Sequence, residues 1–419
     1  MILDRTKSPE VFQIEDVKLA NIDTDIINNL NVHSHIDEGS KTFKIELQTK
    51  GSQWYGSTAA LPQLTLKMLN EGTKTKPSSQ LAEAIDALGS FIELSPGFDY
   101  SSITIFGLSK YFEENIRLLS EMVYEPKFDA ESLTTLKSKE LDKLKLNLEK
   151  GSYLSSVNLR KALYGLDHPY GKHLTINDIE NTTIDEVKSF HGHFVKDFDI
   201  YIAGDLPANF KNVLAESFDK YSGELIDQRT ETSLLEQKDV FHIDPKFIQS
   251  SIKLGKRLFT RSNKDYFPFI VTNEVLGGFF GSRLMKNIRE EKGYTYGIYS
   301  HLYALLHDGY FLISTDVKGG NQQDTLDEIY KELNKLSTEL VPSEELDIVK
   351  NYMIGVFTNS FASPFAQIDK FKTLNSQGIN QDFYRNYVSN IRAVSSEDIL
   401  TNAVKHLSPD SLVTSIAGA

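Results

Sequence analysis

Two polar side chains stand one helical turn apart in residues 61–73, LPQLTLKMLNEGT. Apolar residues at spacings of three and four predict a helix here, and the glycine near its end predicts a stop. Gln63 and Lys67 then share the other face at positions i and i+4. A pair so placed can hold a ligand together, or it can simply face solvent. The sequence around the pair leaves both interpretations open.

A second pair that could do chemistry is Arg289 and Tyr296, seven residues apart in LMKNIREEKGYTYG. A guanidinium offers a rigid fork of donors that suits a peptide carbonyl or a terminal carboxylate. A phenol can donate to the oxyanion of a tetrahedral intermediate. Alternatively, Arg289 belongs to the solvated charged run that ends at Lys292, and Tyr296 is an ordinary strand aromatic. The residues alone favour this second interpretation.

The elements around both pairs follow from hydrophobic periodicity. In the first half, strand-like FKIELQTKG precedes the helix of Gln63, a second helix occupies 78–89, and two alternating strands follow. In the second half, SSIKLGKRLF predicts a strand, FPFIVTNEVLGG and SRLMKNIREEKG predict helices, and two further strands come after them. Locally joined strands followed by grouped helices predict an α+β fold, with a mostly antiparallel sheet packed against helices in each half.

The two halves also resemble each other in sequence. The segment IAG at 202–204 matches IAG at 416–418, FDAESL matches VPSEEL, and TTIDEV matches SSEDIL, each at an offset of about 213 residues. Three matches in one register indicate duplication. We therefore predict homologous domains at 1–221 and 240–419. A linker is predicted at 222–239, where the sequence is polar and lacks periodicity.

Composition excludes several classes of function. The 419 residues carry a net charge of −13, so no basic surplus is available for binding nucleic acid. The absence of cysteine removes disulfides, thiol catalysis and cysteine-ligated zinc. No apolar run reaches the length of a membrane helix, and the N-terminus lacks the apolar segment of a signal peptide. We expect a soluble, cytoplasmic protein, or a periplasmic one if an export signal has been removed.

Three segments together resemble the M16 metallopeptidases, the pitrilysin-like family with an inverted zinc motif. They are ALYGLDHPYGK (162–172), the IAGD strand and GGFFGSRLMKNIREEKGYTYG (277–297), and the resemblance covers nearly the whole chain. In active members the first helix carries His-x-x-Glu-His and runs into a Gly-Thr turn, which here is Gly72-Thr73. The two histidines bind zinc with a glutamate of a later helix, and the motif glutamate is the general base.

The resemblance implies that this chain has lost the zinc site. Counting back from Gly72 places the two histidine positions on Gln63 and Lys67 and the base position on Leu66. The family spacing places the third ligand on Lys143, although a small slip in that count would bring the nearby Glu140 or Asp142 to the position. Protonated lysine is a poor metal ligand, and leucine cannot move a proton. We therefore expect no catalytic residue, no metal and no cofactor in this chain.

The second half matches the family where the first half departs from it. In the family's second domain an Arg and a Tyr at the spacing of Arg289 and Tyr296 reach the substrate, so the resemblance implies a substrate-binding pair here. A chain that keeps the substrate-binding residues but has lost the metal site resembles the non-zinc subunit of two-chain bacterial M16 peptidases. This implies a heterodimer with an M16 partner that carries His-x-x-Glu-His and zinc and acts on peptides.

Other interpretations of the same residues stay open. The chain could form a homo-oligomer. It could also be an inactive scaffold, or a peptide-binding protein without a peptidase partner. A third possibility is an independent hydrolase with a relocated metal site, for which the His-x-His pair His191 and His193 would be a candidate. We expect these two histidines to be structural.

Overall fold

The computed structural model describes residues 14–196, 198–220 and 238–419. Its strands are β1 (Asp23–Ile27), β2 (Leu30–Ile36), β3 (Thr42–Thr49), β4 (Phe91–Ser95), β5 (Ser101–Leu108), β6 (Phe198–Gly204), β7 (Val240–Ile243), β8 (Gln249–Leu258), β9 (Thr295–Ala304), β10 (Gly309–Lys318) and β11 (Val413–Gly418). Its α-helices are α1 (Ala60–Met68), α2 (Ser78–Ala87), α3 (Phe112–Tyr124), α4 (Ala130–Leu148), α5 (Gly151–Tyr164), α6 (Ile176–Asn181), α7 (Ile184–Phe190), α8 (Gly192–Lys196), α9 (Phe210–Ser217), α10 (Tyr266–Asn273), α11 (Gln322–Thr338), α12 (Ser343–Asn359), α13 (Pro364–Asn375), α14 (Asp382–Arg385), α15 (Tyr387–Ala393) and α16 (Ser396–His406). Two π-helical turns, Glu274–Gly278 and Met285–Glu291, follow α10.

Two sheets organise the described residues, one in each half of the sequence. The first has the order β1-β2-β6-β3-β5-β4, and the second has the order β7-β11-β8-β10-β9. The pairs β2–β6 and β7–β11 are parallel, and the other pairs are antiparallel. The predicted α+β class with mostly antiparallel sheets is therefore confirmed. One parallel pair in each sheet is a feature that the periodicity did not indicate.

Each sheet has a hydrophobic core of its own. In the first half, Ile45 of β3 and Leu66 of α1 lie in one buried cluster. In the second half, Leu254 of β8 and Phe269 of α10 lie in another. In both halves, therefore, the helix that follows the long strand is fixed by burying an apolar face against the sheet.

The repeated segments begin equivalent helices. The Thr183 hydroxyl accepts a hydrogen bond from the backbone of Glu186, and the Glu186 carboxylate accepts one in return, which forms a capping box at the start of α7. Ser395 and Asp398 form the same arrangement at the start of α16. The match between TTIDEV and SSEDIL thus corresponds to a shared local structure.

Each half also contributes a helix to the sheet of the other half. α5 packs on β8 and β11, and α13 packs on β6 and β2. The contact of α5 is close, because Gly151 lies against the carbonyl of Ala417, where an added Cβ would be 2.7 Å from the oxygen. Ser155 of the same helix donates to Ser251 across 3.0 Å. The halves are therefore joined by packing on both sheets.

A buried group of charges accompanies the docking of α13. Lys44 and Glu46 point from β3 to the face opposite the first core, where α13 lies. Lys372 of α13 donates to both carboxylate oxygens of Glu46 at 2.7 Å, and Lys44 pairs with Asp369 at 2.5 Å. Both faces of the central strand are therefore covered, the second one by the other half.

The predicted linker at 222–239 falls almost entirely outside the described residues, so the domain division stays a prediction. Within the part of the chain that the structure describes, none of the helices is both long and apolar enough to span a bilayer.

Candidate functional site

Helix α1 holds its two polar side chains apart from its buried face. Seven of its nine residues are buried, and Gln63 and Lys67 are the two that are not. Leu66, at the predicted base position, is fully buried in the first core. The i, i+4 spacing therefore does bring Gln63 and Lys67 to one side of the helix, as the sequence predicts.

Glu140 of α4 joins these two side chains into one cluster. The Gln63 amide donates from Nε2 to Glu140 Oε2 at 2.8 Å. The Lys67 ammonium lies 2.6 Å from the other oxygen, Oε1, and the side chain of Glu140 is only 10% exposed. An ammonium thus balances a nearly buried carboxylate, and the amide satisfies its second oxygen. We call these three residues the Gln63–Glu140–Lys67 cluster.

The residue of α4 that reaches Gln63 and Lys67 is Glu140, one helical turn before the predicted Lys143. Lys143 is exposed on α4, whereas Glu140 lies in the buried stripe of that helix with Leu136 and Leu144. Residues four apart stack on one helical face, so Glu140 points inward and Lys143 points away from that stripe. A lone carboxylate in an apolar stripe is the signal in the sequence that places Glu140 on the inner face of α4.

The Gln63–Glu140–Lys67 cluster does not suit zinc. Zinc in peptidases takes imidazole nitrogens and carboxylate oxygens, and leaves one position for water. Here the amide of Gln63 and the ammonium of Lys67 replace the imidazoles, and both oxygens of Glu140 are already engaged. The base position holds a buried leucine. The donor set therefore supports no metal-assisted hydrolysis in this half.

Arg289 lies in the second π-helical turn and stacks on an aromatic ring. Its guanidinium carbon is 4.6 Å from the ring centre of Phe280, which is itself exposed. In the charged run, Lys292 pairs with Glu328 of α11 at 3.2 Å. Arg289 has no acidic partner among the residues that the structure describes. Cation–π stacking leaves the in-plane donors of a guanidinium directed outward, so they are available to a ligand.

Tyr296 projects from an edge strand. Thr295 pairs with Val317 and Ile298 with Thr315, so Tyr296 and Gly297 together face a single residue of β10. This β-bulge re-aims the side chain of Tyr296, which is 91% exposed although β9 buries the alternate position at Ile298. The phenol forms no hydrogen bond with any described residue. Gln63 and Lys67 thus meet at one carboxylate, whereas neither Arg289 nor Tyr296 has an acidic partner among the described residues.

His191 and His193 serve packing, as predicted. A ring nitrogen of His191 is 2.7 Å from the carbonyl oxygen of Val123, and the ring of His193 stacks on Phe190 at 4.8 Å. Burial lowers the pKa of both imidazoles, which keeps them neutral. Across the described ranges, no three acidic, histidine or cysteine residues come together as a metal-binding group.

Comparisons with known proteins agree with this geometry. Residues 181–353 match the family model described as "Peptidase M16 inactive domain". The chain is 25% identical over 313 residues to "Uncharacterized zinc protease YmxG" of Bacillus subtilis, covering 72% of this chain and 75% of that protein. It is 25% identical over 309 residues to "Non-peptidase homolog YmxG" of Helicobacter pylori, covering 70% and 69%.

The fold matches as well. The crystal structure of a peptidase M16 inactive domain from Pseudomonas fluorescens superposes with a TM-score of 0.84 at 24% identity, covering 95% of this chain and 98% of that one. The resemblance to the M16 peptidases seen in the sequence is thus confirmed: the model of their inactive domain matches part of the chain, and nearly the whole chain shares the fold of such a domain.

Proposed function

We propose that this chain is the substrate-binding, non-catalytic subunit of a heteromeric zinc-dependent peptidase that acts on peptides. The partner would be a second M16 chain that carries His-x-x-Glu-His and zinc. This chain would contribute Arg289 and Tyr296 to a peptide held at the partner's metal, and alone it would cleave nothing.

The observation that carries the proposal is the contrast between the two halves. In the first half, the Gln63–Glu140–Lys67 cluster satisfies its own charges and hydrogen bonds. In the second half, Arg289 and Tyr296 have no such partners among the described residues. The Arg289 guanidinium stacks on Phe280 through its face and keeps its donors available, and the exposed Tyr296 phenol is available as well.

The chemistry of the pair suits an extended peptide. Stacking on Phe280 holds the Arg289 guanidinium in one orientation, so less side-chain entropy is lost when it binds a carbonyl or a terminal carboxylate. The Tyr296 phenol can donate to the oxyanion that forms during cleavage, an interaction that is stronger in the transition state than in the ground state.

The names of the relatives include both a peptidase and a non-peptidase. The Bacillus subtilis protein is named a zinc protease, and the Helicobacter pylori protein is named a non-peptidase homolog. The residues of this chain favour the second class, because its donor set lacks a base and both imidazoles.

Co-expression with a neighbouring-gene M16 protein that carries His-x-x-Glu-His tests the proposal. We expect native mass spectrometry to find a heterodimer, and we expect peptide cleavage only by the mixture or far faster than by either chain. Failure to form a complex, with no gain in cleavage, would reject the subunit role for that pair. A variant that lacks both Arg289 and Tyr296 but keeps full biological function would indicate a scaffold instead.

A further inference from the structure

A cavity in the second half occupies the place that corresponds to the Gln63–Glu140–Lys67 cluster. α1 follows the long strand β3 and packs against α4, α6 and α7. α10 follows the long strand β8, and with its π turn it packs against α12, α15 and α16. Ile270 and Glu274, four residues apart, line this cavity together with Met353 of α12. Met353 lies at the repeat offset from Glu140, so the two places are related by the duplication.

The cavity has an aromatic lining and a volume of about 250 Å³. This volume accommodates one amino-acid side chain with its backbone atoms. The aromatic residues that line it come from four helices, namely Tyr266, Tyr352, Phe357, Phe383, Tyr384 and Tyr387. Where the first half fills the equivalent space with its own ion pair, the second half therefore leaves an open apolar pocket.

Glu274 brings an unpaired carboxylate into this aromatic pocket. Among the described residues, no cation or hydrogen-bond donor pairs with it. The carboxylate lies against Gly278, where only a residue without a side chain leaves room for it, because a Cβ added there would be 2.3 Å from Glu274 Oε2. Burial raises the pKa of this carboxyl to about 7. Burying a carboxylate without a partner costs free energy, and such groups concentrate at functional sites.

Two cations line the same cavity without pairing with Glu274. Arg261 donates to the carbonyl oxygen of Ala304 at 3.1 Å, and the ammonium of Lys370 lies 5.9 Å from the ring centre of Phe361. Burial, and secondarily the charge of Arg261, lower the pKa of Lys370. Neither cation has an ion-pair partner in the described part of the chain. The pocket is thus lined by charges of both signs that do not pair with each other, together with a group of aromatic rings.

We propose that this cavity binds a small zwitterion with an apolar or aromatic side chain, a free α-amino acid or a dipeptide. Its ammonium would pair with Glu274, its carboxylate with Arg261 and Lys370, and its side chain would pack on the rings. The site is separate from Arg289 and Tyr296, so this proposal does not depend on the proposed peptidase role.

Isothermal titration calorimetry of the whole chain tests this site with four probes: phenylalanine, leucine, the dipeptide Phe-Leu, and N-acetyl-phenylalaninamide, which lacks both charges. We expect saturable binding of the amino acids, the dipeptide or both, and none of the capped compound. Amino acids binding alone would identify a free-metabolite site, and the dipeptide binding alone would identify a site for peptide fragments.

Variants then locate the binding. Glu274→Gln should weaken it by about 10- to 150-fold, the loss expected when a hydrogen bond to a charged group is removed. Glu83→Gln, an exposed carboxylate on α2, is the matched control and should bind as the parent chain does. The proposal is overturned if no charged probe binds, if the capped compound binds equally well, or if Glu274→Gln and Glu83→Gln bind alike.

Discussion

At the scale of single residues, the identity of the charge partner decides what each site can do. The ammonium of Lys67 pairs with the Glu140 carboxylate at 2.6 Å. Glu274, at the related place in the second half, has no such partner among the described residues. One carboxylate is therefore neutralised within the protein, and the other is left for a ligand.

Glu274 should make the stability of the protein depend on pH. Burial raises its folded-state pKa to about 7, whereas an unfolded glutamate titrates near its ordinary value. Between roughly pH 4.5 and 7 the folded protein keeps a proton that the unfolded chain releases, so stability falls as the pH rises, by about 3 kcal/mol in all. Burial raises the pKa of Tyr266 and Tyr387, which also line the cavity, so both stay protonated across this range.

The variant Glu274→Gln removes this titration. We expect it to be more stable than the parent chain at pH 8 by up to about 3 kcal/mol, and to match it near pH 5. Urea denaturation at both pH values measures the difference, with Glu83→Gln as the control. An equal difference at pH 5 and pH 8 would contradict the raised pKa.

Helical periodicity is local information, so the sequence alone places Gln63 and Lys67 on one side of a helix. It does not decide between Lys143 and the nearby Glu140, because a spacing taken from other proteins does not account for small shifts of one helix against another. Glu274 was missed because an isolated glutamate carries no motif, and its isolation depends on side chains about 80 to 110 residues further along.

At the scale of elements, α1 and α4 hold three side chains together at the place where the family resemblance implies a lost metal site. Both replaced side chains reach the same carboxylate, at 2.8 Å and 2.6 Å. Two histidines at these positions would lie one turn apart on a helix and face Glu140, which is the donor set of a zinc site. Restoring the two histidines therefore tests whether α1 and α4 can still hold a zinc ion.

The double variant Gln63→His, Lys67→His should bind one zinc ion per chain, measured by elemental analysis after dialysis. Adding Glu140→Gln should abolish or strongly weaken this binding, and adding Lys143→Ala should leave it unchanged. The reverse pattern would show that Lys143 marks the third position after all. Cleavage activity is not expected, since Leu66 leaves the base position empty of any proton acceptor.

Periodicity predicted the long elements around both sites, and it missed β1, β2 and β7. β2 shows why. His33 and Ser34 are buried in it, so its apolar pattern is interrupted. A ring nitrogen of His33 is 2.9 Å from the Thr24 hydroxyl and the other is 3.2 Å from the Asn375 amide. Polar residues buried by a helix of the other half cannot be told from solvent-facing ones by sequence alone.

At the scale of the whole molecule, two halves cover each other's sheets. α5 and α13 make this exchange, and the charges between β3 and α13 fix it. The duplication was predictable from three matching segments. The exchange was not, because it depends on contacts between residues about 100 to 330 positions apart.

Glu46 should be important for holding the halves together. Burial opposes its ionisation, but Lys372 and Lys44 outweigh that effect and hold its pKa below the usual range. Replacing it by glutamine leaves two buried ammonium groups with a single carboxylate, Asp369. We expect Glu46→Gln to destabilise the protein by about 3 kcal/mol or more in urea denaturation. A loss no greater than that of the exposed control Glu83→Gln would show that the network contributes little.

Arg289 is the residue through which this chain would contribute to cleavage at a partner's metal. The measurement is kcat/KM for peptide cleavage by the heteromeric complex, with native mass spectrometry to show that each variant assembles. Arg289→Ala should lower kcat/KM by about 10- to 150-fold, because a charged hydrogen bond worth about 1.5–3 kcal/mol is lost from the transition state. Lys286→Ala, which removes an exposed cation from the same π turn, should leave the rate unchanged. An assembled Arg289→Ala complex that cleaves as fast as the parent complex would contradict the account.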